Sequence, residues 1–281
     1  MKRFLKGEHF DRIKTDFAFL VKKVRRSRGE LDFRLREGYF NLYYKGNSLA
    51  MVRPRLGGYQ VEIHEKFIPD GFFEGDNRFY ERGARRGAYR VFQLEPAELK
   101  PFFQAKYLAA IGSNIARVNY GEEITFEQLL ATDNLEREDF FILDRQVTDR
   151  ALNRSRIDLL GAAQVRGNRY RFVVIEVKLG SNPELEGRVQ EQLTAYSTHI
   201  EAHFDEWKNS YQETYRQLKA LGLFELPTHE TIEIVGGVRS LICVGGYTGL
   251  AQQAIEKLKA RYPEASVQLF RNTIRASPVV S

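Results

Sequence analysis

The chain has 281 residues, 43% of them hydrophobic and 12% aromatic, enough for one large domain or two small ones with a real core, so general disorder is excluded. Its formal charge is only +6, from 43 Lys plus Arg against 37 Asp plus Glu, so the placement of the bases matters more than their sum. The opening "MKRFLKGEHF" lacks the apolar stretch of a signal peptide, no segment approaches the length of a membrane span, and the lone Cys243 excludes an internal disulfide; a soluble cytoplasmic protein with no membrane partner is expected.

Residues 8–24 carry Phe10, Ile13, Phe17, Leu20, Val21 and Val24 at helical spacing, which predicts one amphipathic helix. From Glu30 the period changes to two. "ELDFRLRE", "YFNLYY", "SLAMVRP" and "GYQVEIHEKF" read as a β-meander of roughly four strands, with turns at Glu37-Gly38, Gly46-Asn47 and Gly57-Gly58. The alternating Asp32, Arg34 and Arg36 predict a sheet wet on one side. The Gly- and Arg-rich segment 71–95 reads as a long connection. Pro96 opens a helix through about Val118, and a short helix over Glu122–Leu130 follows, with Phe126, Leu129 and Leu130 as its apolar stripe. The remainder alternates: strands 140–147, 156–163 and 170–179, helix 184–202 and more helix to about 222, strand 239–247, helix 249–261, strand 266–271. A boundary near residue 95 divides this into an N-terminal helix-plus-meander region, 1–95, suited to binding nucleic acid or a partner, and a second region, 96–281.

Bases cluster at Lys22, Lys23, Arg25, Arg26 and Arg28, at Arg82, Arg85, Arg86 and Arg90, and at Arg150, Arg154 and Arg156. Such clusters interleaved with Tyr and Phe suit a polyanion, since cations meet phosphates while rings stack on bases; solvated faces are the bland alternative. Arg85, Arg86, Arg154 and Arg156 are the candidate nucleic-acid contacts.

The strand 170–179 holds an oddity. Alternate residues share a face, so Val173, Ile175, Val177 and Leu179 form one side and Phe172, Val174, Glu176 and Lys178 the other. Two opposite charges thus end a strand that looks buried. Residues at i and i+2 satisfy one another only in part, so a further partner is expected. "SRIDLLGA" supplies Asp158 inside an apolar stretch, and the Gly-Asn turn of "QVRGNRY" makes the two segments antiparallel neighbours that bring Asp158 near Glu176. Converging carboxylates repel unless a cation lies between them, and oxygen-only ligands favour Mg²⁺ or Mn²⁺. Such an ion polarises a phosphoryl oxygen and acidifies a bound water, while Lys178 is placed to orient or deprotonate that water or to stabilise developing negative charge.

"RID" at 156–158, an apolar strand ending in "EVK" at 176–178, and "QLTAY" at 192–196 together resemble the PD-(D/E)XK nuclease superfamily, the Q-x-x-x-Y spacing being similar to its exonuclease-like branches. The resemblance covers about residues 122–247. It implies an α/β fold, a restriction-endonuclease-like core with a central mixed sheet flanked by helices, here preceded by the N-terminal β-meander. It implies metal-dependent cleavage of nucleic acid, DNA favoured, by attack of a metal-activated water. Asp158 and Glu176 would be metal ligands with the carbonyl of Val177 as a third, Lys178 the catalytic lysine, and Gln192 and Tyr196 positioning groups on one helix face. Ile157 stands where the family often has Pro. An upstream helical Glu is also common in the family; Glu123 and Glu127 both qualify, with Glu127 preferred. The alternative is a non-catalytic module that grips nucleic acid or protein on the same fold. A homodimer would supply the two sites that cutting both strands requires.

Two rival motifs are weaker. His199 and His203 share the i, i+4 spacing of a zinc helix, but Ile200 follows the first His where the zincin pattern needs Glu. "VGGYTG" at 244–249 lacks the lysine and glycine spacing of a phosphate loop and reads as a strand-to-helix turn. Cys243 reads as a small core residue.

Overall fold

In a computed structural model, residues 2–70, 72, 82–119, 121–149 and 156–270 are described. They form an α/β protein of two sheets and eight helices, with neither sheet closed into a barrel. The chain opens with α1 (Gly7–Asp16) and α2 (Ala18–Arg26) rather than one helix, because the backbone leaves helical geometry at Phe17. All six apolar positions of the sequence pattern are nevertheless buried, so the break bends the stripe without losing it.

The first sheet is antiparallel, in the order β1 (Leu31–Arg36), β2 (Tyr39–Tyr44), β3 (Asn47–Arg55), β4 (Gly58–His64), β6 (Tyr89–Leu94), β5 (Ala84–Arg86). The meander therefore has two strands more than its sequence suggests. Within the expected connection, residues 84–94 form a hairpin turned at Gly87, whose φ of +59° suits glycine; 71 and 73–81 lie outside the described residues. Helices α3 (Pro96–Phe102) and α4 (Ala105–Val118) are separated at Phe103-Gln104 where one helix was expected; Phe102 of α3 packs edge-on against Phe92 of β6, and Tyr107 of α4 edge-on against Phe72.

The second sheet is mixed. Strands β7 (Phe140–Thr148), β8 (Arg156–Arg166) and β9 (Arg169–Leu179) run antiparallel, while β11 (Arg239–Gly245) and β12 (Val267–Phe270) join β9 in parallel. The two-residue β10 (Glu233–Ile234) pairs with the start of β9. Parallel pairing requires a crossover, supplied by α6 (Arg188–Ala202) and α7 (Phe204–Ala220) between β9 and β11 and by α8 (Thr248–Arg261) between β11 and β12. Two clusters cover the two faces. Phe172 and Val174 join Tyr196, Ile200 and Trp207 of α6 and α7. Val173, Ile175 and Val177 join Phe126, Leu130 and Ala131 of α5 (Glu122–Asp133). Leu129, expected in that stripe, points to solvent at 50% exposure.

The sheets meet at the edge strands β1 and β7. Here the expected wet face is overturned: Asp32, Arg34 and Arg36 are 7%, 2% and 3% exposed. Edge strands leave carbonyls without ladder partners, and Arg carries five donors. Arg34 Nη1 donates to the carbonyls of Ile142 and Leu143 at 3.0 Å, and Arg36 Nη2 to that of Arg145 at 2.9 Å. Arg36 Nη1 meets Asp144 Oδ1 at 2.5 Å, and Arg34 Nε grips both oxygens of Asp32 at 2.9 Å. Residues from both sides of position 95 share one hydrophobic cluster, running from Leu5 to Ala265.

Candidate active site

The β8–β9 ladder pairs Gly161 with Val173, Leu160 with Val174 and, last, Leu159 with Ile175. One residue beyond, the Asp158 carboxylate replaces the backbone as acceptor and takes the Val177 N–H at 3.0 Å. Glu176 and Lys178 end the strand on the face of Phe172 and Val174. Lys178 Nζ lies 3.0 Å from Glu176 Oε2, 3.7 Å from Asp158 Oδ2 and 3.5 Å from Glu184 Oε2. Asp158, Glu176 and Lys178, inferred to be neighbours from turn and pattern, are thus brought together, all less than 9% exposed. Glu184 was not foreseen. Its signal lies in "NPEL", where the Asn182 side chain accepts the Glu184 N–H and turns the chain back on the strand end.

Helix α5 delivers the two upstream acids to different places. Glu123 Oε1 accepts from the Leu179 N–H at 3.1 Å and from Asn182 Nδ2 at 2.8 Å, capping the exit of β9. Glu127 is 3% exposed. Its Oε2 accepts from Arg145 Nη2 at 3.2 Å and Gln146 Nε2 at 3.4 Å. Gln146 sits between the ladder pairs Arg145–Leu159 and Val147–Ile157 with φ at +49°, a left-handed backbone inside a strand. Arg145 is fully buried, with its guanidinium 5.0 Å from the Tyr43 ring centroid. Sequence reading missed it because one Arg in "ILDRQV" looks like any solvated strand residue.

The electrostatics follow from burial and the closeness of like charges. Burial, then the negative charge of Asp158, push Glu176 up to about 8, only partly offset by Lys178. The same two causes push Glu127 up to about 7 against the pull of Arg145 and Arg156. Burial alone would lower Lys178, but Asp158 and Glu176 together outweigh it and raise the group, so its ammonium stays charged. Glu176 Oε1 is buried with no hydrogen-bond partner among the described residues. An acceptor in that state is satisfied by a proton or a cation.

The other expected residues divide. Tyr196 O–H donates to the Arg156 carbonyl at 3.2 Å and so anchors the start of the Asp158 strand. Gln192 is half-buried, and its Oε1 also has no partner among the described residues. Arg156 is exposed at the head of β8, whereas Arg150 and Arg154 lie outside the described residues. Arg85 and Arg86 stand on β5, the edge of the first sheet opposite β1, roughly five strand spacings or about 24 Å from the β1 edge. Arg85 shares Glu65 with Arg90, at 3.0 and 3.1 Å, which ties part of that cluster into ion pairs. His199 meets Asp149 at 3.3 Å and lies against the rings of His203 and Trp207. Among the described residues no group of three or more His, Cys, Asp and Glu is placed to hold a metal. The carboxylate oxygens at the strand ends are those of Asp158, Glu176 and Glu184, with Lys178 Nζ among them. "VGGYTG" is a strand-to-helix turn, β11 ending at Gly245 and α8 starting at Thr248, and burial pushes the Cys243 thiol up to about 12. No helix among the described residues is long and apolar enough to cross a membrane.

Comparison of the chain with protein-family models, with curated proteins and with solved structures finds no match.

Proposed function

We propose that the protein is a divalent-metal-dependent nuclease with a restriction-endonuclease-like core, hydrolysing phosphodiester bonds of nucleic acid, with DNA as the favoured substrate. The observation that carries the reading is the convergence of Asp158, Glu176 and Lys178 at the adjoining ends of two buried strands, with Glu176 Oε1 lacking a donor among the described residues. A structural ion pair needs no second buried carboxylate, raised to about 8 by burial and then by its neighbour's charge. The Asp158 and Glu176 carboxylates, with the Val177 carbonyl as third donor, would make an all-oxygen set suited to Mg²⁺ or Mn²⁺. When bound, such an ion supplies Lewis acidity toward the phosphoryl oxygens.

The chain's own groups account for the rest. Lys178, held charged by its carboxylate neighbours, offers positive charge where a phosphate gathers negative charge, and is not a base at neutral pH. Glu127, near 7, can hold or release a proton at Oε2 under the same conditions. Exposed Arg156, two residues before Asp158, would meet the substrate backbone. A homodimer would present two such sites.

The test is cleavage of single- and double-stranded DNA and RNA with Mg²⁺, with Mn²⁺ and with EDTA. Asp158→Ala, Glu176→Ala and Lys178→Ala should each lower the rate by about 10²-fold or more. Activity that survives all three substitutions, or that ignores EDTA, rules the assignment out. Tight DNA binding by a wild-type protein that does not cleave would establish the alternative, a binding module on the same fold.

A further inference from the structure

Helix α5 has two working faces. Glu123 and Glu127 look toward the second sheet, as described above. Ile124, Gln128 and Thr132, spaced by four, face the turn that leads from α2 into β1 and the β2–β3 turn. Both turns are left-handed at consecutive residues: Arg28 and Gly29 at φ +49° and +95°, Lys45 and Gly46 at +42° and +84°. Each is built around a glycine against which the helix rests. A Cβ on Gly29 would lie 2.8 Å from Thr132 Oγ1, and a Cβ on Gly46 would overlap Ile124 Cγ2 and lie 2.5 Å from the Ile124 carbonyl oxygen.

Gln128, 3% exposed, ties the two turns together. Its Nε2 donates to the Gly29 carbonyl at 2.8 Å and its Oε1 accepts the Gly46 N–H at 3.1 Å; the same Oε1 accepts from Arg145 Nη1. Arg145 in turn holds Glu127. From the Gly46 turn to the exit of β9 the route is therefore short. Gly46 touches Ile124, the next residue is Glu123, and Glu123 holds the Leu179 N–H one residue after Lys178.

We propose that the first sheet is a positioning element of the site, and that Gln128, with the Lys45-Gly46 turn, sets where α5 places Glu123 and Glu127. The consequence for catalysis rests on the nuclease reading; the consequence for structure does not. An ordinary Cβ contact is 3.4 to 4 Å, so a methyl at Gly46 must displace the first turn of α5 by about 1 Å. A displacement of that size at a site can cost about 10²-fold in rate.

Gly57 provides the control. Its φ of +77° strains an alanine as Gly46 does, but a Cβ there meets nothing within 4 Å. The experiment follows backbone amides by NMR in the metal-free protein, comparing Gly46→Ala, Gly57→Ala and Gln128→Asn, whose shorter side chain cannot span both turns. In Gly46→Ala and Gln128→Asn the Leu179 amide should shift and lose exchange protection. The Val177 amide, bonded to Asp158 of β8, should not. Gly57→Ala should leave both unchanged. In the unmodified protein, native-state exchange should place the Gly46 and Leu179 amides in one opening unit, a measurement that requires no variant to fold. On a nucleic-acid substrate kcat should fall about 10²-fold in Gly46→Ala with KM little changed. Unchanged Leu179 amides in folded Gly46→Ala and Gln128→Asn, or separate opening of Gly46 and Leu179, overturns the positioning role. Coupled amides in a protein that cleaves nothing would uphold that role and remove the nuclease reading alone.

Discussion

Glu176→Gln should stabilise the metal-free protein above neutral pH and, on the proposed nuclease reading, abolish cleavage. The carboxyl is raised from its ordinary 4.5 to about 8, by burial first and by the charge of Asp158 second. Between those two pH values the folded protein holds a proton that the unfolded chain has lost. Folding stability therefore falls as pH rises through the window, and the deficit is complete above about 8. At about 1.4 kcal/mol per pH unit the window bounds the deficit at on the order of 5 kcal/mol. Glutamine keeps the shape and cannot ionise, and the deficit it removes is already net of the pull of Lys178, 3.0 Å away. The net expectation is a gain on the order of 5 kcal/mol at pH 8.5 and under about 1 kcal/mol at pH 5, where the wild-type side chain is itself neutral in the fold. Urea denaturation in EDTA at both pH values measures it, read as a shift in midpoint with unchanged m. A Glu176→Gln protein less stable than wild type at pH 8.5, or one whose advantage is independent of pH, would refute the account of buried repulsion.

Four further outcomes are expected. Asp144→Ala removes the acceptor shared by Arg36 at 2.5 Å, the Tyr211 hydroxyl at 3.0 Å and the Arg145 N–H at 2.8 Å, so urea unfolding should show a loss of about 3–5 kcal/mol. Mn²⁺ at about a hundred times its Kd should stabilise the wild type by about 2.7 kcal/mol in thermal unfolding, and Asp158→Ala by close to nothing. Because Glu176 must release its proton to bind a cation, Mn²⁺ affinity measured by calorimetry should rise from pH 6 to pH 8, and a flat profile would count against Glu176 as a ligand. Cys243, buried with its thiol near 12, should not react with a thiol reagent at pH 8 until denaturant is added.

Most of the second sheet was legible because β7, β8, β9 and β11 carry apolar runs bounded by turn residues, whereas the two-residue β10 offers no such run. The β8–β9 pairing followed from Gly167-Asn168 alone, and with it the approach of Asp158 to Glu176. Helix breaks were not legible. Phe17 and Phe103 lie at apolar positions that continue the helical period, so only the backbone shows that α1 and α3 stop there. The β5–β6 hairpin was hidden by its composition, since "ARR" is fully exposed and has no apolar face to alternate. Glu123 and Glu127 could not be separated in sequence, one turn apart on the same helix. Only the third dimension gives one of them the Leu179 N–H and the other Arg145.

The deepest ambiguity concerned charge. "LDFRLR" in β1 and "VVIEVK" in β9 present the same pattern, ionic groups alternating with apolar ones, and both strands are buried. In β1 the charges complete a joint: Asp32 is gripped by Arg34, Asp144 by Arg36, and the remaining guanidinium donors find carbonyls of the facing edge strand. In β9 the balance fails. Lys178 is shared by Asp158, Glu176 and Glu184, and one Glu176 oxygen is left without a donor among the described residues. Arg145 stands between the two arrangements, contacting Asp32 of the joint at 3.8 Å and Glu127 beside the site at 3.2 Å. Burial of charge therefore does not mark the site in this fold, since both places have it. The mark is the excess of acceptors over donors, which a self-contained ion pair lacks and which a cation or a proton relieves.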